Sequence, residues 1–199
     1  RWFRSLWHLD HKHGQVRTTM AQSLIILGAG GNAFDVLDIV QALGALGNTW
    51  ELAGFLDDSR AVGFRYADLP VLGGLAEAER FPEHSFISTI RNETTYRISQ
   101  ALLAKTRLSP DRVATLAHPP AGVPSHARLG RGVYIASCAS VAGGVVLGNH
   151  VSIGPGCIVG HGSVIGDYAI LAPGSIISGE VRVGECAYIG AGSVVRQHL

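Results

Sequence analysis

Residues 123–195 read VPSHARLGRGVYIASCASVAGGVVLGNHVSIGPGCIVGHGSVIGDYAILAPGSIISGEVRVGECAYIGAGSVV. Stepping by six from Val123 gives Leu129, Ile135, Val141, Leu147, Ile153, Val159, Ile165, Leu171, Ile177, Val183, Ile189 and Val195, every one a branched aliphatic. The residue after each is nearly always small, as at Gly130, Ala136, Gly148, Gly160 and Gly190. A helix needs an apolar period near 3.6 and cannot use a period of six. Short strands with a corner after each can. Three hexads then make one triangular coil, and coils stack through backbone hydrogen bonds about 4.8 Å apart. The aliphatics point inward in columns and supply most of the driving force, at roughly 1.5–3 kcal/mol for each one fully buried. Small residues follow them because the corners are tight.

The front half has a different grammar. Ser23–Gly30 reads as a buried strand. The turn Gly28-Ala29-Gly30-Gly31-Asn32-Ala33 follows, then a helical pattern through Val36, Ile39, Val40 and Leu43. Further strands are predicted at Glu51–Asp58, Pro70–Leu75, Ser85–Ile90 and Val113–His118, with a helix over Glu93–Lys105. Strands alternating with helices predict a small parallel α/β unit. A strand, a glycine turn and a helix bring bare backbone N–H groups to a helix N-terminus, which suits an anion. Asp57-Asp58 ends the next strand, 29 residues after Gly28, further than the spacing of a dinucleotide fingerprint.

Glycine makes up 26 of the 199 residues without a three-residue period, which excludes collagen. No run of 18 apolar residues exists, so no transmembrane helix is expected. Formal net charge is +1, but Arg1, Arg4, Lys12 and Arg17 stand against Asp10 at the front, so the body is slightly acidic. A nucleic-acid partner is not expected of such a body, nor is a membrane partner. Residues 1–19 precede Met20, the only methionine, and read as a non-native extension. Cys138, Cys157 and Cys186 form no CxxC pair, which fits a reducing cytoplasm. The domains expected are therefore 20–117, a Rossmann-like α/β unit, and 118–199, the repeat.

Together, LIILGAGGNAFDVLDIV, GFLDD, HPPAGV and IVGHGSVIGDYAILAPGSIISG resemble the sialic-acid O-acetyltransferase (NeuD/PglD-like) family of hexapeptide-repeat sugar acyltransferases. The resemblance implies a left-handed parallel β-helix behind the α/β domain. It implies a homotrimer with sites between subunits, acetyl-CoA as co-substrate along the β-helix, and a nucleotide sugar held by the front domain. It places the catalytic base at His161 and gives the Gly179 N–H to the thioester carbonyl, with no metal. An imidazole with a pKa near working pH suits acyl transfer to an amine or hydroxyl.

Gly143 and Gly179, one coil to either side of His161, lack side chains and are expected to leave a groove beside the imidazole. The position after the histidine, acidic in that family, is Gly162. Glu180 stands one coil from it, and the expectation is that Glu180 orients His161. Gly28, Gly30, Gly31, Asp57 and Asp58 are the candidate nucleotide-sugar contacts. N-acetylation of an amino sugar for surface glycans is the leading reading. O-acetylation of sialic acid or a related sugar, and a non-catalytic sugar-nucleotide-binding β-helix, stay open beside it. The outward apolar residues Tyr134, Ile158, Val164, Ile170, Ile176, Tyr188 and Val194 are expected to meet a partner surface.

Overall fold

The computed structural model describes residues 22–48 and 50–199. The expectation for residues 1–19 lies outside them.

The chain opens with β1 (Gln22–Leu27), α1 (Ala33–Ala45), β2 (Trp50–Leu56), β3 (Arg65–Tyr66), β4 (Leu69–Gly73) and β5 (Ser85–Ser88). The sheet order is β3-β4-β2-β1-β5. All neighbours are parallel except the edge pair β3 and β4, which is antiparallel and departs from the all-parallel unit expected. The spacing of Ala33, Val36, Ile39 and Val40 puts one apolar face of α1 on the sheet, against Leu24, Ile26, Phe55 and Ile87. Leu75, Ala78 and Leu103 cover the other face, over Ile25, Leu27 and Phe86.

The helix predicted over Glu93–Lys105 shrinks to α2 (Ser99–Ala104). The physical reason lies at Asn92. Its Oδ1 accepts from the N–H groups of Thr94 and Thr95 and from the Thr94 hydroxyl. The Thr95 hydroxyl accepts from Asn92 N–H. These local side-chain bonds satisfy the backbone in turns and compete with a helix.

Behind β6 (Leu116–Ala117) comes the parallel β-helix. Each two-residue strand pairs with the one 18 residues on, as in Val146 with Val164 and Leu147 with Ile165. Three walls result. The aliphatics from Ile135 to Val183 are buried in one core, and Val123, Leu129, Ile189 and Val195 are partly buried against it.

Two distinct demands shape the corners. A Cβ on Gly160 would lie 2.5 Å from the backbone of the next coil, so that position needs close approach rather than unusual dihedrals. Two residues on, Gly162 has φ +66°. This left-handed position recurs every six residues and is taken by Cys138, His150, Tyr168, Glu180, Cys186 and His198 as well as by glycines. Cys157 alone of the three cysteines belongs to the inner core; Cys138 and Cys186 sit at corners.

The domains share a seam. Val113 bridges to Phe86 in the front sheet, whereas Leu116 and Ala117 pair with Tyr134 and Ile135 in the β-helix. The chain therefore changes sheets between Ala114 and Leu116. Tyr134 and Leu116 join the α1-side core, which buries one wall of the β-helix under the front domain. Tyr134 and Ile170, expected to face a partner, are covered this way, at 2% and 6% exposure. Ile158 and Val194 on the next wall remain 46% and 62% exposed.

Truncating the buried Ile153 to alanine is expected to destabilise the chain by about 2–5 kcal/mol in urea unfolding. Val62→Ala, at an exposed loop position, should stay within about 0.5 kcal/mol of the parent.

Candidate active site

His161 lies at the corner between strands Ile158–Val159 and Val164–Ile165, and its side chain is exposed. The corner is held from both adjoining coils: Gly162 N–H donates to Gly143 O at 3.1 Å, and Glu180 N–H donates to His161 O at 2.8 Å. Gly179 is directly beneath the imidazole. A Cβ there would stand 2.7 Å from both Cε1 and Nε2 of His161, so the ring rests on bare main chain. These corner hydrogen bonds use neither the Gly179 N–H nor the ring nitrogens of His161. On the preceding coil the expected gap is filled: the His126 ring covers Gly143, with Nε2 2.4 Å from where a Cβ would be. The space over Gly143 is therefore closed by His126, and that over Gly179 is taken by the His161 ring itself.

Glu180 does not turn to His161 as expected. Its Oε2 pairs with His198 Nδ1 at 2.9 Å. Residues 162, 180 and 198 form one column of left-handed corner positions, and Glu180 lies over Gly162. His161 belongs to the neighbouring column and points at Gly179, so the column rather than the diagonal decides the partner.

The front loop is shaped by its acids. Gly28 has φ +100°, and a Cβ would come within 2.7 Å of Ile90 Cγ1. Asp57 Oδ2 accepts from Ala29 N–H at 2.7 Å, and its Oδ1 accepts from the Ser59 N–H and hydroxyl at 2.7 and 2.6 Å. Asp58 Oδ1 accepts from Leu75 N–H, while Oδ2 pairs with Lys105 at 2.8 Å. The Lys105 bond first, then the Leu75 N–H, hold the Asp58 carboxyl below the usual carboxylate range. Both aspartates thus brace the fold. Gly30 and Gly31 face open space, where main chain is accessible at the start of α1.

Sequence reading missed Arg91. It follows β5 in the apolar run SFISTIR and is wholly buried at the seam. Its Nη2 donates to Ser88 O at 2.7 Å, and its guanidinium lies 5.5 Å from the centre of the Tyr134 ring. Burial lowers its pKa to about 10, so it remains charged near neutral pH. Asn32 Nδ2 donates to its carbonyl. Arg91, Asn32, Tyr134, Ser152 and Tyr188 are among the residues lining a cleft of about 80 Å³ between the domains. A second cavity, about 250 Å³, opens on the other side of the seam and is lined in part by His150. That ring stacks on Tyr168 at 5.0 Å. Among the described residues no group of three or more His, Cys, Asp or Glu is placed to hold a metal ion. No described helix is long and apolar enough to cross a membrane.

Comparison with known proteins agrees with this architecture. Residues 23–97 match the PglD N-terminal domain, and residues 126–161, 144–179 and 162–197 match the bacterial transferase hexapeptide (six repeats). The acetyltransferase domain of PglB from Neisseria gonorrhoeae FA1090, in complex with acetyl coenzyme A, is 26% identical over 89% of this chain and 83% of its own, with TM-score 0.74. A mutant perosamine N-acetyltransferase from Caulobacter crescentus, in complex with CoA and GDP-perosamine, is 25% identical over 89% and 90%, with TM-score 0.66. WeeI from Acinetobacter baumannii AYE shares the fold at 22% identity over 90% and 82%, with TM-score 0.73. No curated protein matches the chain.

The fold, a Rossmann-like α/β domain on a left-handed parallel β-helix, is that of a hexapeptide-repeat acyltransferase. More narrowly, the chain belongs to the hexapeptide-repeat sugar acyltransferases that carry a PglD-type front domain.

Burial first, and the Arg91 charge second, push the His150 pKa from its ordinary 6.5 down to about 4. Between those values the unfolded chain binds more protons than the folded one, so stability should fall as pH drops from about 6.5 to 4. His150→Gln should remove this part of the slope, read by denaturant unfolding across that window.

Proposed function

We propose that this protein transfers the acetyl group of acetyl-CoA to the amino group of a nucleotide-linked sugar, with His161 as general base. The observation that carries the reading is the exposed His161 ring seated on Gly179 at a β-helix corner, in a chain whose structural relatives hold acetyl coenzyme A or CoA with GDP-perosamine. His161 accepts a proton from the acceptor nitrogen as that nitrogen attacks the thioester carbonyl carbon. The Gly179 N–H donates to the carbonyl oxygen as it becomes anionic. The C–S bond then breaks, and the imidazolium returns the proton to the departing thiolate. The products are an amide and free CoA, and neither metal nor redox chemistry enters the balance.

The front domain is assigned to the acceptor. Gly30 and Gly31 offer main chain, while Gly28 and Asp57 set the shape of the loop and Asp58 braces it from behind. The exposed apolar wall bearing Ile158 and Val194 supports assembly into a homotrimer. The substrates place the reaction in the cytoplasm, as a step toward surface glycans.

Turnover is read as CoA release with a panel of UDP- and GDP-linked amino sugars. His161→Ala should lower kcat by about 10²–10⁴ while acetyl-CoA binding persists; wild-type turnover in this variant overturns the assignment. Gly179→Ala places a methyl against the ring, so it should lower kcat with little change in thermal stability. Sedimentation at micromolar concentration should show a trimer.

A further inference from the structure

We propose that Arg91 and Ser152 form an oxyanion-binding site in the cleft between the two domains. Arg91 is completely buried, and among the described residues its Nε and Nη1 have no hydrogen-bond partner. Among the described residues the Ser152 Oγ, also buried on the β-helix wall that faces the front domain, makes no well-formed hydrogen bond, with the Tyr134 side chain beside it. Both side chains line the same cleft of about 80 Å³. Among the described residues Arg91 makes no ion pair, and its one side-chain hydrogen bond is to Ser88 O. A buried guanidinium with no counter-charge is costly, and proteins seldom keep one without a use.

The geometry suits one kind of guest. A guanidinium presents donors in a planar fork that matches the two oxygens of a carboxylate or phosphate. A serine hydroxyl from the opposite domain adds a third donor. Asn32, the N-cap of the thirteen-residue α1, reaches the same cleft, so the positive end of that helix adds to the attraction for an anion. The cleft, about 80 Å³, has room for one phosphate group or carboxylate.

Two carboxylates also line the cleft. Glu93 is exposed, and Asp35 is half-buried. Desolvation first, and the nearby Asp38 second, raise the Asp35 pKa above its ordinary value. Bound there, the oxyanion would join Arg91 of the front domain to Ser152 of the β-helix and tighten the seam.

The inference deepens the proposed function by naming an acidic group of the acceptor that the seam would hold. Its test reads binding without turnover, so its failure is distinguishable from failure of the acetyl-transfer reading. The full chain is titrated with inorganic phosphate, with acetate and with UDP, at constant ionic strength, by calorimetry and thermal shift. Phosphate or acetate should raise the melting temperature of the parent. Arg91→Gln should weaken that binding at least tenfold, and Ser152→Ala several-fold.

UDP that competes with phosphate and shares its dependence on Arg91 assigns the site to a nucleotide phosphate. Phosphate or acetate that binds without such competition assigns it to a separate oxyanion. Should Arg91→Gln fail to fold, the ¹⁵Nε resonance of Arg91 in the parent replaces it and should move on saturation with phosphate. Absence of any Arg91-dependent binding, an unmoved Nε resonance, or parent-like affinity in Ser152→Ala together with Arg91→Gln overturns the proposal.

Discussion

Pairing between residue i and residue i + 18 is the constraint on which the rest of the molecule depends. Each strand of the β-helix is only two residues long and could not persist alone. Vertical registry lets each strand share hydrogen bonds with the coil on either side and stacks aliphatics of like size in columns. A one-residue slip would turn the inward set outward, so registry and core enforce each other. The close approach at Gly160 and the left-handed corner at Gly162 are consequences of that stacking.

Registry also explains the chemistry of the corners. Side chains one coil apart lie in columns, and a column decides its own contacts. His161 rests on Gly179, and Glu180 meets His198, because each pair shares a column or its immediate edge. A carboxylate can stand next in sequence to the glycine under the histidine and still bond elsewhere. His126 closes over Gly143 from the edge of the adjoining column, 17 residues apart rather than 18.

The seam between the domains follows different physics. Leu116 and Ala117 extend a β-helix wall as a further rung, and Tyr134 above them belongs to the core of the front domain. Hydrophobic contact joins the two units, yet Arg91 and Ser152 carry polar atoms into the same seam. The front aspartates show the opposite economy. Asp57 and Asp58 look free in the sequence, but each satisfies backbone N–H groups of its own domain.

The period of six, the inward aliphatics and the strand–glycine–helix opening were legible from residue order, because each rests on local periodicity and turn chemistry. His161 was legible too, as a histidine held at an outward corner. The helix over residues 93–98 was misread because Asn92 and the threonines after it bond to local backbone, a competition that apolar spacing does not reveal. Residue order determined the β-helix and the α/β unit. Only the tertiary structure decided that Glu180 pairs with His198, that Tyr134 and Ile170 lie under the chain's own front domain, and that Arg91 is buried with no counter-charge among the described residues. Those outcomes depend on which side chains meet across coils and domains, and that is a matter of three-dimensional packing between residues far apart in sequence.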